Sequence, residues 1–294
     1  MEAVSAELGS DVWVKIEEQC GAWGGNKVRK LEYIYPEVEP SGVKTLVTYG
    51  AGTSSWAAAL ALHSAPRGYR VVLGLGGAVP DSYNRLYERT QTRVFALPGY
   101  SSSPLAAILA RMSAGFRHAR VLPPGGSGLP GDLGPLRAGL EIAAAVADGE
   151  LPRPEAVFVP CGTAGTAAGI AVGLGSTGML VPVIAVRVTP RPLGTAWLVE
   201  RHARTLIRRL TRDGVASTDL RPAPIRGEDR FFPPAYGIGN KASQAAIELA
   251  RADELELDPT YAAKGFAALM EAARQSAGPL LFLHTSPGPL PDAP

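Results

Sequence analysis

Short apolar segments alternate along the chain with segments of helical periodicity, and this alternation predicts strands and helices in turn. The predicted strands begin at Val12, Lys44, Arg70, Arg93, Ala119, Ala156, Pro182 and Pro279, and the predicted helices at Val28, Ser55, Asp81, Pro104, Leu136, Thr166, Thr195, Gln244 and Ala262. Such a rhythm is typical of an α/β fold with mostly parallel sheets and helices on both faces. The polar, proline-rich stretch 213–234 is predicted to be a long connection.

One apolar stretch could be mistaken for a membrane span, because no charged residue occurs between positions 156 and 186. Glycine and proline interrupt it repeatedly, however, which does not suit a membrane-spanning helix. The better interpretation is a buried strand, a glycine loop, a packed helix and a second buried strand. We therefore expect no membrane partner.

Charge and composition exclude several other classes of protein. The 29 basic and 27 acidic residues give a net charge of +2, so nucleic acid is not an expected partner. The arginines of 195–210 suit a solvated helix face better than a DNA-binding patch. Two isolated cysteines, and four histidines with no H-x-x-H or C-x-x-C pair, predict neither disulfides nor a metal site. The first residues show no secretory signal, and we expect a cytoplasmic protein.

Two glycine loops follow predicted strands and open predicted helices. The first, 50–55, imitates the start of a dinucleotide fingerprint, but the next strand ends in Gly74-Leu75-Gly76 where an acidic residue would hold a ribose hydroxyl. NAD is therefore not favoured. The second, 161–166, offers backbone N–H groups and two threonine hydroxyls to a phosphate. Taken alone, it is equally compatible with a tight turn that binds nothing.

A lysine motif changes that balance. Lys27 follows Gly24-Gly25-Asn26 and opens a predicted helix, whereas a lone lysine is usually a solvated surface charge. Glycines allow the backbone to approach a ligand closely, and the positive end of a helix disfavours the ammonium form. Both features lower a lysine pKa, as Schiff-base chemistry requires.

The motif GGNKVRKLEY resembles the lysine motif of the 1-aminocyclopropane-1-carboxylate deaminase and D-cysteine desulfhydrase family. Four further segments resemble that family in the same order: GAGTSSWAAALA, VLPPGGSGLPGDLGPLRAGLEI, CGTAGTAAGI, and LDPTYAAKGFAALM followed by FLHT. The resemblance covers nearly the whole chain. It implies the two-lobed, tryptophan-synthase-β-like fold called fold type II, with pyridoxal 5'-phosphate (PLP) as cofactor.

The resemblance also implies roles for individual residues. Lys27 would form the Schiff base with PLP and move the substrate α-proton, with Ser54 and Tyr261 as further catalytic residues. Ser54, Trp56 and Tyr236 would contact the substrate. The other residues implied to bind the cofactor are Asn26, Lys30, Ser55, Gly162, Thr163, Ala164, Gly165, Thr166 and Thr285.

This sequence departs from the family pattern at positions that would face the cofactor ring. A serine, Ser55, replaces the asparagine that contacts the 3′-oxygen, and Trp56 replaces a histidine or glutamine. Ala262 replaces the glutamate or threonine that serves the pyridine nitrogen, and Ser286-Pro287 replaces a glycine pair. The cofactor anchor is therefore expected to be intact, while the groups that tune the ring are changed.

The resemblance leads to one main expectation about function and leaves two alternatives open. We expect a PLP-dependent lyase or deaminase that performs desulfhydrase-like β-elimination on a small amino acid as a homodimer. The alternatives are a β- or γ-replacement enzyme of a specialised pathway and a catalytically impaired PLP-binding protein. We expect a large PLP-binding domain of residues 1–35 and 134–294, a small domain of residues 36–133, and the cofactor in the cleft between them.

Overall fold

The computed structural model describes residues 1–18, 23–97, 119–276 and 278–290, and it confirms an α/β fold built on parallel sheets. The chain divides into two compact units. Unit 1 comprises Met1–Gln19 and Asp132–Ser286, and unit 2 comprises Cys20–Gly131 and Pro287–Pro294. The predicted helix at 104–114 lies outside the described residues.

Within its described residues, unit 1 contains a five-stranded sheet in the order β1-β9-β6-β7-β8, with every neighbouring pair parallel. The strands are β1 (Val12–Ile16), β6 (Ala156–Cys161), β7 (Val183–Arg187), β8 (Ile225–Glu228) and β9 (Leu280–His284). The helices are α1 (Glu2–Leu8), α5 (Leu133–Ala147), α6 (Gly165–Ser176), α7 (Ala196–Arg212), α8 (Lys241–Ala250) and α9 (Ala262–Ala273).

The apolar stretch 156–186 is β6, the glycine loop, α6 and β7, as the sequence pattern predicts. Helix α6 packs against α5 through glycines. A Cβ on Gly173 would lie 2.3 Å from the carbonyl oxygen of Leu136, and one on Gly169 would lie 2.6 Å from Pro135 Cβ. Only glycine permits backbones this close. No helix in the described ranges is long and apolar enough to cross a bilayer.

Unit 2 contains a parallel sheet in the order β4-β3-β2-β5, counting the residues that the structure describes. Its strands are β2 (Thr45–Ala51), β3 (Arg70–Gly76), β4 (Arg93–Leu97) and β5 (Ala119–Val121), and its helices are α2 (Asn26–Val38), α3 (Ser55–Ser64) and α4 (Asp81–Arg89). The apolar core of this unit combines Leu31, Ile34 and Tyr35 of α2 with Trp56 and Leu60 of α3.

The unit boundaries differ from those predicted, most clearly at residues 23–35. These residues were expected in the large domain, but α2 buries its apolar face in the core of unit 2, so the first half of α2 cannot be separated from the second. The other boundary falls after Gly131 rather than after 133. Residues 287–290 also join unit 2, where the Trp23 indole Nε1 donates to the Gly288 carbonyl at 3.0 Å.

Two elements are absent from the sequence prediction. Helix α1 is capped by Asp253, whose carboxylate accepts hydrogen bonds from the backbone N–H groups of Ala3 and Val4 at 3.0 and 2.9 Å. Strand β8 lies inside the predicted connection 213–234 and pairs with β7 from Ile225 to Glu228. Both elements depend on partners that are distant along the chain.

Candidate active site

The second glycine loop lies at the carboxyl end of β6, in unit 1, and leads directly into α6. Ala164 adopts the left-handed conformation at φ 71°, which turns the chain into the helix. The loop is held from β7, because Thr189 Oγ1 donates to the Gly162 carbonyl at 2.8 Å and Val188 N donates to the Cys161 carbonyl at 3.1 Å. The turn is therefore fixed before any ligand binds.

Two tyrosines meet beside this loop. The ring of Tyr261 packs on Gly162 so closely that a Cβ there would lie 2.9 Å from the ring and 3.0 Å from its hydroxyl oxygen. The hydroxyls of Tyr236 and Tyr261 are 3.3 Å apart, and their rings pack edge to face at 6.0 Å. The missing side chain of Gly162 thus makes room for the Tyr261 ring.

Asp258 fixes the start of the helix that presents Tyr261. Its carboxylate accepts hydrogen bonds from the backbone N–H groups of Thr260 at 3.0 Å, Tyr261 at 2.7 Å and Ala262 at 3.1 Å. A carboxylate at a helix N-terminus also interacts favourably with the helix dipole. Ala262, the first residue of α9, is fully buried in the apolar core and offers only a methyl group.

The loop suits a phosphate group on physical grounds. The first turn of a helix directs backbone N–H groups outward with a partial positive charge. Here that turn follows Gly162, which has no side chain, and includes Thr166, while Thr163 precedes it. Both threonine residues are partly exposed. These donors match the needs of a phosphate dianion.

Thr285, the residue expected on the pyridine side of the cofactor, follows β9 at the same edge of the sheet and is nearly buried. Its neighbour His284 is fully buried, and the imidazole Nε2 lies 3.0 Å from the Glu256 carbonyl. Because a carbonyl only accepts, Nε2 carries the proton. Burial lowers the pKa of His284 below the ordinary 6.5.

We expect His284 to make the protein sensitive to mild acid. Its lowered pKa means that the unfolded chain binds a proton below pH 6.5 that the native imidazole refuses. The free energy of unfolding should therefore fall as the pH drops below 6.5, by at most about 1.4 kcal/mol per pH unit for one histidine. Urea unfolding of His284→Gln at pH 7 and pH 5 should show a smaller loss than the parent protein. Burial also lowers the pKa of His63, which serves as an unchanged background in both proteins. An identical pH dependence would contradict the assignment.

Lys27 lies in unit 2, in the first turn of α2. The two glycines before it have φ values of 144° and 54°, which side-chain-bearing residues rarely adopt, and a Cβ on Gly24 would lie 2.8 Å from Val28 Cγ2. The backbone N–H of Lys27 donates to the Gly24 carbonyl at 3.0 Å. The glycines therefore serve to start the helix at this point, and the lysine itself is half-buried.

Asn26 and Lys30 belong to the same helix and are both buried. The Nζ of Lys30, one turn after Lys27, donates to Ser127 Oγ at 3.0 Å, and Ser127 belongs to the GGS loop of the same unit. This contact holds the lysine against a second polar loop. Binding of a phosphate by Lys30 stays a prediction.

Ser54 caps helix α3 of unit 2, and Ser55 is the first residue of that helix. The Ser54 hydroxyl oxygen accepts a hydrogen bond from Ala57 N at 3.3 Å, which leaves its O–H as a separate donor. Both serines are partly exposed. Their predicted contacts with substrate and cofactor are compatible with this placement.

Trp56 requires a correction. It was expected to contact the substrate, but only 1% of its surface is exposed and it packs in the core of unit 2. Its indole Nε1 donates to Thr48 Oγ1 at 3.0 Å, and Thr48 Oγ1 donates to the Leu122 carbonyl at 3.0 Å. A Cβ on Gly126 would lie 2.7 Å from the ring. Position 56 thus points inward from α3, under the GGS loop.

Three residues near the tyrosines were missed from the sequence: Thr189, Asp258 and Lys264. Asp258 had a usable signal, because an aspartate just before a helical pattern is a typical cap. Thr189 and Lys264 act through contacts with other elements of unit 1. No local pattern marks such contacts.

Parallel strands whose carboxyl ends carry a glycine-rich turn and a helix N-terminus define an α/β protein built to bind a phosphorylated cofactor. The chain belongs to the pyridoxal-phosphate dependent enzyme family, whose model matches residues 1–286. It is 32% identical over 318 residues to the D-cysteine desulfhydrase of Serratia proteamaculans, covering 98% of this chain and 90% of the relative. The D-cysteine desulfhydrase of Yersinia enterocolitica is 35% identical over 306 residues, again covering 98% and 90%.

Solved structures show the same fold. An ACC deaminase homologue superimposes with a TM-score of 0.82 at 24% identity, covering 98% of this chain and 88% of the other. A fungal L-serine ammonia-lyase from Rhizomucor miehei superimposes with a TM-score of 0.66 at 17% identity, covering 97% and 91%. The protein is a PLP-dependent enzyme of the lyase and deaminase group, with the tryptophan-synthase-β-like fold and PLP as its cofactor.

Proposed function

We propose that the protein eliminates the β-substituent of a small amino acid, with D-cysteine as the first candidate substrate. The observation that carries the proposal is the similarity of 32–35% to D-cysteine desulfhydrases over nearly the full length of the chain. With D-cysteine and one water molecule, the products are pyruvate, ammonia and hydrogen sulfide. The cleaved bonds are the Cα–H, Cβ–S and Cα–N bonds.

PLP supplies the electron-withdrawing group that makes the substrate α-hydrogen acidic. In our proposal the Nζ of Lys27 bonds to the cofactor and then moves the α-proton. The loop 162–166 holds the phosphate, Lys30 and Asn26 support the cofactor from α2, and Ser55 and Thr285 face its ring. Ser54 donates to the substrate carboxylate, which suits the O–H that its capping role leaves as a donor.

The tyrosine pair would work at the substrate side of this arrangement. Two hydroxyls 3.3 Å apart can share a hydrogen bond, so one of them can donate to a substrate sulfur while the other stabilises it. A departing thiolate needs a proton, and a hydrogen-bonded phenol pair is a suitable donor. We therefore assign Tyr261 a catalytic role and Tyr236 a substrate-binding role.

We expect a clear preference between two test substrates. Pyruvate release from D-cysteine should exceed the 2-oxobutyrate release from 1-aminocyclopropane-1-carboxylate by at least about 100-fold in kcat/KM, a difference of about 2.7 kcal/mol. The reason is Ala262, which is sealed in the core with a methyl group where the resemblance places a glutamate that assists ring opening. Both keto acids are measured with lactate dehydrogenase under matched conditions. Comparable turnover of the cyclopropane substrate would contradict the proposal, and so would the absence of pyruvate from D-cysteine.

We further propose that the enzyme acts as a homodimer in the cytoplasm, as the resemblance implies. Light scattering during size-exclusion chromatography tests the dimer, because a monomeric mass at micromolar concentration would exclude it. Fractionation of the source cells tests the location.

A further inference from the structure

The segment that carries Tyr236 has no regular secondary structure, yet it is held from several directions. We call residues 231–239 the tyrosine loop. It connects the region after β8 to helix α8 and is mostly exposed at its tip. Asn240, the N-cap of α8, donates through its side-chain amide to the carbonyls of Phe231 at 3.1 Å and Pro233 at 2.8 Å. One end of the loop is thereby tied to the helix that follows it.

A buried lysine holds the middle of the loop. Lys264 is fully buried within α9, and its Nζ donates to the carbonyls of Phe232 at 2.7 Å and Ala235 at 3.0 Å. Its Nζ also lies 5.5 Å from the centroid of the Phe232 ring. An ammonium group is costly to bury unless it is well hydrogen-bonded, so a lysine here is a specific device rather than a filler of space.

Phe232 is held by a second cation. The guanidinium carbon of Arg187 lies 4.3 Å from the centroid of the ring, and Arg187 is itself fixed by Asp229 at 2.9 Å. Arg187 ends β7, whereas Lys264 belongs to α9. The loop is therefore attached both to the sheet and to the helix that presents Tyr261.

Lys264 and Tyr261 are three residues apart at the start of α9, and residues at this spacing lie on the same side of a helix. Tyr261 places one hydroxyl of the pair directly. Lys264 grips the carbonyl of Ala235, the residue next to Tyr236, whose hydroxyl is 3.3 Å from that of Tyr261. A single helix thus determines the positions of both hydroxyls.

We propose that Lys264 is a positioning residue that holds Tyr236 against Tyr261 by clamping the tyrosine loop to helix α9. Lys264 has no contact with substrate in this proposal and acts only through Tyr236. The inference rests on the proposed function for its kinetic consequence, but not for its structural one. Loss of the clamp should free the loop, separate the two hydroxyls and weaken the use of substrate.

The structural consequence is tested by hydrogen exchange of the holoenzyme, followed by mass spectrometry of its peptides. In Lys264→Met, which keeps the length of the side chain but removes its donors, amides of residues 231–239 should exchange at least about tenfold faster than in the parent protein. Amides of α9 should stay within about twofold, since only the clamp is lost. Equal acceleration throughout unit 1 would show general destabilisation and overturn the proposal, and so would an unchanged loop.

Two further variants protect this test. Lys264→Arg keeps a donor that can reach a carbonyl and should restore most of the protection of the loop. Arg230→Met changes an exposed cation in the adjacent segment that pairs with Glu228, and it should leave exchange in the loop unchanged. If Lys264→Met does not fold, Lys264→Gln retains one donor and should show the same local acceleration to a smaller extent. Protection equal to that of the parent protein in Lys264→Gln would count against the clamp.

The kinetic consequence is tested by a double-mutant cycle with Tyr236→Phe. Each single change should lower kcat/KM for D-cysteine by about tenfold, mainly through a higher KM, while the visible spectrum of the bound cofactor is retained. The double variant should fall within about twofold of the weaker single variant, because Lys264 has no further effect once the Tyr236 hydroxyl is gone. Multiplying effects would overturn the proposal. A parent protein inactive on D-cysteine would refute the proposed function and leave the exchange test intact.

Discussion

Replacement of Lys27 by alanine is expected to abolish turnover, lowering kcat/KM for D-cysteine at least about 10³-fold. The variant lacks both the amine that bonds to the cofactor and the base that moves the α-proton. The phosphate loop lies in unit 1 and is unaffected by this change, so PLP should still bind. Pyruvate release measures the activity, and equilibrium dialysis measures the PLP that stays bound.

The matched control for this change is Lys44→Ala. Lys44 belongs to the same unit but is an exposed lysine just before β2. It should retain activity within about twofold, since surface substitutions of this kind are nearly neutral. Activity of Lys27→Ala close to that of Lys44→Ala would show that another amine serves the cofactor.

Replacement of Trp56 by alanine is expected to have the largest effect on stability, lowering the free energy of unfolding by about 3–5 kcal/mol. The indole is buried in the core of unit 2 and also holds the Thr48 hydroxyl that bonds to the Leu122 carbonyl. Its removal leaves a large cavity beneath Gly126 and the rest of the GGS loop. Urea unfolding followed by circular dichroism measures the change.

Two comparisons decide whether Trp56 serves the core or the substrate. Trp197→Ala removes a tryptophan that is 56% exposed and should change the free energy of unfolding by no more than about 0.5 kcal/mol. Trp56→Phe keeps a ring but loses the Nε1 donor, so its loss should be intermediate between the parent protein and Trp56→Ala. Unchanged stability of Trp56→Ala, together with a raised KM, would return this residue to the substrate site.

The alternation of apolar and helical segments was sufficient to predict most of the described elements of the sheets. Strands β2, β3, β6, β7 and β9 are short apolar runs in the interior of parallel sheets, where both faces are covered and no polar alternation is needed. The glycine loop 161–166 was also correctly placed between a strand and a helix. Helix α2 begins two residues earlier than predicted, at Asn26, because the unusual backbone of Gly25 starts it there.

The remaining features depend on contacts across long stretches of chain. Helix α1 has too few residues to be stable alone and depends on Asp253 for its cap. Strand β8 is short and polar, and only its pairing with β7 identifies it. Trp56 follows the serines of a binding motif, but the helical rotation of α3 carries it into the core. Lys264 looked like a surface charge on an alanine-rich helix until its two carbonyl partners were seen.

The most direct test of the account is to identify the lysine that bonds to PLP in the unaltered protein. Borohydride reduction makes that bond permanent, and peptide mapping by mass spectrometry then locates the phosphopyridoxyl group. We expect the label on Lys27, accompanied by loss of the visible absorption band of the bound cofactor. A label on Lys30, Lys241 or Lys264, or no label at all, would contradict the central claim.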